Sequence, residues 1–88
     1  MAFVGMDVEQ VQNLSRQLDQ KATDIDNIIS TLNSTIQATD WKGQDANQFR
    51  SDWNSDLTQK LRQVSQALKD ASRKALQNAQ EQQTTSSK

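Results

Sequence analysis

The chain reads as an all-α protein, a single antiparallel helix-turn-helix hairpin that needs a partner to complete its interior, and three observations predict this. Apolar residues recur at spacings of three and four along two long stretches, the period of one face of a helix. Proline is absent, and the only glycine besides Gly5 is Gly43, near the midpoint of 88 residues. Hydrophobic residues make up 33% of the chain and the mean hydropathy is −0.90. That is poor material for an independent core, because ordering a chain costs roughly 1.5 kcal/mol per residue and a small scaffold needs disulfides, a metal or oligomerisation to offset it.

The first helix is expected over about residues 7–38. Asp7 followed by Gln10 reads as a capping box, with Met6 and Val11 placed as the accompanying hydrophobic staple. From there Val11, Leu14, Leu18, Ala22, Ile25, Ile28, Ile29, Leu32 and Ile36 fall on one face. The polar residues around Thr31, Asn33, Ser34 and Thr35 have low helix propensity, so packing must hold this segment. The pattern stops around residues 39–44, and Gly43 puts the reversal there, since glycine adopts φ > 0 and lets backbones approach. An indole at Trp41 is placed to cover the tip.

A second helix is expected over about 45–80. Ala46, Phe49, Trp53, Leu57, Leu61, Val64, Leu68, Ala71 and Ala75 step by three or four, the last six in strict heptad alternation. Both stripes read as core or dimer interface, in particular Leu14, Leu18, Ile25, Ile28, Leu32, Phe49, Trp53, Leu57, Leu61, Val64 and Leu68, because helical spacing is what burial requires. At 1.5 Å per residue each helix reaches about 50 Å, and a short loop makes the two antiparallel neighbours. Residues 81–88 carry no apolar side chain and are expected to fray as a flexible tail. The whole chain is one domain.

Charge agrees with the pairing. Residues 7–40 carry two basic and six acidic side chains, whereas residues 60–74 carry five basic and one acidic. Folding about residue 42 sets Asp24 level with Lys60 and Asp19 level with Arg62. Exposed pairs contribute only about 0–1 kcal/mol each, so they bias register more than stability.

Several function classes are disfavoured. Cysteine and histidine are absent, which removes disulfides, Cys/His zinc sites and haem attachment. No nucleophile stands beside a base, no glycine-rich loop cradles phosphate and no acidic loop offers an oxygen cage, so neither an enzyme nor a cofactor protein is expected. A formal charge of −1 argues against nucleic acid. No apolar run reaches a membrane-spanning length, and neither helix has the continuous basic face that membrane contact favours. The N-terminal residues are too short and lack the basic flank of a cleaved signal peptide.

Trp41-Lys42-Gly43 at the one place where a reversal is required, flanked by two amphipathic helices and followed by Ala46, Phe49 and Trp53, resembles the ESAT-like Trp-x-Gly (WXG) family of small helical-hairpin proteins exported by type VII secretion systems. The resemblance covers nearly the whole chain. It implies a four-helix bundle made of two hairpins, as homodimer or heterodimer with another WXG protein, made in the cytoplasm and secreted folded without a cleaved signal peptide. It also implies a role as a secreted, virulence-factor-like substrate or co-export partner, with Trp41 and Gly43 forming the turn that takes part in recognition by the secretion ATPase. Many members carry a C-terminal Tyr-x-x-x-Asp/Glu export signal, and this chain has no tyrosine. Gln77 to Glu81 keeps only the spacing, so the resemblance implies that a partner supplies the signal. A competing reading is an intracellular adaptor or chaperone whose stripes shield an amphipathic helix of a larger protein.

Overall fold

A computed structural model describes residues 5–86, with side chains to Thr84, and shows a helical hairpin 66 × 17 × 14 Å in extent. The first helix, α1, spans Val8–Ala38. A five-residue turn leads into α2, Gln44–Asp52, which runs on through a π-helical segment, Trp53–Leu57, into α3, Thr58–Ser86. The cross-section is that of two helices side by side. Helix α3 continues past residue 80, where the polar composition of the tail begins, to Ser86.

Asp7 starts α1 as expected. It lies in the extended region and its carboxylate accepts from the Gln10 N–H at 3.1 Å, which satisfies one of the first-turn donors. Met6 and Val11, at the staple positions, are both half-buried.

The contact between the two arms is made by small residues at intervals of seven. Ser15, Ala22 and Ile29 are buried on α1; Ala46 on α2 and Thr58, Ser65, Ser72 and Ala79 on α3 are buried opposite them. Small side chains let the helix axes approach, and the polar ones among them bond across the gap. The Ser72 hydroxyl donates to the Ser15 carbonyl at 2.7 Å, and the Ser15 hydroxyl donates to the Ser72 carbonyl at 3.0 Å. Seven levels along, the Ser65 hydroxyl lies 2.7 Å from the Asp26 carboxylate and 3.2 Å from the Ala22 carbonyl, so its one proton goes to the carboxylate.

These contacts correct the expected register. Residue 15 stands beside 72 and residue 22 beside 65, three residues further along than folding about residue 42 implies. Asp24 therefore does not meet Lys60. It pairs with Lys21 at 3.6 Å in its own helix, and Lys60 pairs with Asp56 at 3.2 Å. Nor does Asp19 meet Arg62; the carboxylate on that side of the arm contact is Asp26, whose partner is Lys69 at 3.0 Å. The turn is longer on the helix-two side than a symmetric fold assumes, because residues 39–43 are non-helical and α2 starts only at Gln44.

The π-helical segment completes the alignment. Trp53 is buried, 7% exposed, and so is Thr58, five residues on; the Thr58 N–H donates to the Trp53 carbonyl. In a continuous α-helix the residue stacked above Trp53 is the fourth on, Leu57. One extra residue in the turn rotates α3 so that Thr58 takes that place and Leu57 moves out to the side, where it is exposed.

Candidate interaction surfaces at the tip and along one side

The tip is built by residues from both arms. α1 ends at Thr39, whose backbone is extended, and the Trp41 N–H folds back to the Thr39 carbonyl at 3.0 Å. The last turn of α1 contains no basic residue, so its carbonyl end lacks the cation that the helix dipole favours. Arg50 supplies it from the other arm, donating Nη1 to the Trp41 carbonyl at 2.9 Å and Nη2 to the Thr39 carbonyl at 3.1 Å. Arg50 was not singled out by spacing or motif; an arginine two turns into a helix carries no mark of the carbonyls it will reach.

Gly43 has φ 113° and ψ −179° and caps α2, its carbonyl accepting from the Asn47 N–H at 3.0 Å. A Cβ built there meets nothing within 4 Å. Torsion alone therefore demands glycine, and close backbone approach plays no part. The Trp41 ring packs on Phe49 with centroids 5.5 Å apart and planes at 50°, within the range of a favourable tilted pair. Both rings remain exposed, so they form an aromatic patch beside the turn.

Of the other expected core or dimer residues, only Trp53 is buried within the hairpin, its indole N–H donating to the Asn33 side-chain carbonyl. Leu18, Ile25, Leu61 and Leu68 are half-buried, while Leu14, Ile28, Leu32, Phe49, Leu57 and Val64 are exposed, with Leu14, Ile28 and Val64 at 49–50%. Their positions relative to the small-residue contact explain this. Leu14 and Ile28 precede Ser15 and Ile29 by one residue, about 100° round the helix, and Leu57 and Val64 precede Thr58 and Ser65 likewise. Leu18, Ile25, Leu61 and Leu68 fall between those rows and the contact. Asp26, Arg62 and Lys69 follow buried positions by four, which places them on the opposite side; that the Asp26 to Lys69 bond bridges the arms there fixes the geometry. The hairpin thus has one polar side and one apolar side, each drawn from both arms. Phe49, three residues past Ala46, starts the apolar side at the tip.

On the polar side the Ser65 hydroxyl and then the Lys69 ammonium, both bonded to Asp26, hold its carboxyl below the usual carboxylate range, against a smaller opposing effect of desolvation. The buried serine hydroxyls donate to carbonyls or to this carboxylate, and none of them is presented to an activating base. Among the described residues no three of His, Cys, Asp and Glu are grouped to hold a metal, and no helix is long and apolar enough to cross a membrane.

A family model described as WXG100, proteins of 100 residues with WXG, matches residues 4–86. No curated protein matches the chain, and no solved structure does.

Proposed function

We propose that this chain, which belongs to the WXG100 family, is exported as a folded helical hairpin by a type VII secretion system and acts through binding, as a secreted factor or co-export partner, with no catalytic step. The observation that carries this reading is the turn at Trp41-Lys42-Gly43, where the motif that names the family coincides with an exposed aromatic pair fixed by Arg50 and by the positive φ of Gly43. A rigid apolar patch with polar groups around it is the usual form of a recognition site, and the secretion ATPase is the partner proposed for it. The apolar side is proposed to pack on a second WXG hairpin. Six exposed large side chains along it, each about half accessible, leave roughly 4–8 kcal/mol of burial unrealised in the lone hairpin at about 1.5–3 kcal/mol per fully buried residue.

Trp41→Ala tests the tip. Its ring is exposed and packs mainly on Phe49, so circular dichroism should show nearly unchanged helicity while the amount in the culture medium falls. Undiminished secretion of a normally folded variant would leave Trp41 with only a structural task. The apolar side would equally seat one amphipathic helix of a cytoplasmic protein, the adaptor reading; protein retained in cells with an active secretion system would favour that alternative.

A further inference from the structure

We infer that the partner on the apolar side is a second copy of this chain, laid antiparallel with α1 against α1 and registered by Lys21 and Asp24. The inference rests on the hairpin pairing proposed above and adds the identity and alignment of the partner. Lys21 precedes the buried Ala22 by one residue and so points the same way as Leu14 and Ile28, seven residues to either side. It is the one charged side chain in that row of α1. Covering the row brings a cation into an apolar contact, which is costly unless a carboxylate meets it.

The chain carries such a carboxylate itself. Asp24 stands on the outer edge of the same row, 3.6 Å from Lys21, and both are exposed. In a two-fold contact, residue i meets residue j and j meets i. An axis passing between residues 22 and 23 of α1 sets Lys21 against the partner's Asp24, and does so twice. That axis is also within half a residue of the middle of α1, Val8–Ala38, so the alignment that pairs the charges is the one that overlaps the helices along their full length. Two independent requirements, charge and maximal burial, choose the same register. On the other arm, the register of 22 beside 65 puts the axis between residues 64 and 65. Lys74 then comes level with the partner's Asp56, and Lys60 is held about 13 Å along the axis from its own symmetry mate. The layout favours self-pairing over the expectation that a different hairpin completes the bundle.

Charge reversal with mixing tests this on the purified full-length chain. Sedimentation should show the unaltered protein as a dimer. Lys21→Glu and Asp24→Lys each place like charges at both contacts and should weaken self-association by about tenfold or more, with helicity retained because both sites are exposed. An equimolar mixture of the two variants restores opposite charge at every contact, so native mass spectrometry should show the mixed dimer dominating both self-dimers. A mixture with no preference over statistical pairing would overturn the register. A chain that stays monomeric alone yet dimerises with a different WXG hairpin would overturn self-pairing while leaving the proposed bundle intact.

Discussion

Deleting Ser55 from the π-helical segment should leave the hairpin folded and at least as stable, whereas deleting one residue elsewhere in the same arm should not. Ser55 is exposed and its side chain bonds only to the Ser51 carbonyl one turn back, at 2.7 Å. Removing it brings Thr58 to the fourth position after Trp53, which is where an unbroken α-helix stacks a residue on the same face. Every buried position from Thr58 to Ala79 then keeps its place, and Leu57 keeps its place on the apolar side. The i to i+5 bond from Thr58 to Trp53 is replaced by a regular ladder, and one fewer residue is ordered on folding. Each effect is of the order of 1 kcal/mol, so a gain of about 1–2 kcal/mol is expected, or roughly 4–15 °C in Tm for a domain of this size. Deleting Gln66, exposed and equally polar, makes the control. It rotates everything beyond by about 100° and swings Arg73 and Gln80 into the places of buried Ser72 and Ala79, an unpaired buried charge that costs several kcal/mol. Thermal melts followed by circular dichroism at one fixed protein concentration compare the three chains. Equal destabilisation by the two deletions would refute the view that the extra residue sets the register.

The same measurement serves three further substitutions. Thr58→Val removes a buried hydroxyl that has no hydrogen-bond partner and should stabilise by about 1 kcal/mol; a loss of stability would mean that the hydroxyl is satisfied in solution. Gly43→Val forces a β-branched residue to φ 113° and should cost about 1–2 kcal/mol or more, and an unchanged melt would show that the turn relaxes out of this conformation. Asp26 has a folded pKa below its unfolded one, so its contribution is fully present above about pH 4 and is lost as pH falls from there through the lowered folded value. Asp26→Asn should therefore flatten the acid side of the stability profile, and an unaltered profile would show that the Ser65 and Lys69 bonds do not persist in water.

The helical hairpin, the start of α1 and the site of the turn were legible because each follows from local chemistry: a period of three and four, an N-cap carboxylate and a glycine at the one break in the pattern. Which residues lie between the arms was not. The heptad of Leu57, Leu61, Val64 and Leu68 is the strongest signal in helix two, and hydrophobicity alone assigns it to the interior. The arms instead meet along Thr58, Ser65, Ser72 and Ala79, whose weak hydrophobicity hides a spacing of seven that is equally regular. An additional residue in a helical turn leaves no trace in composition, so the rotation that separates the two rows could not be read from the chain. The three-residue shift in register has the same origin as the bonds of Ser15 and Ser65, which reach carbonyls across the gap and depend on how closely two backbones approach.

Because serines and alanines join the arms and leucines and isoleucines face outward, the two sets of contacts are separable. Whatever covers the oily surface can depart without prising the arms apart, since no large side chain between them belongs to the outer row. The molecule behaves as a thin lamina that is finished on one face and adhesive on the other, and one cover can be exchanged for another while the helices stay paired.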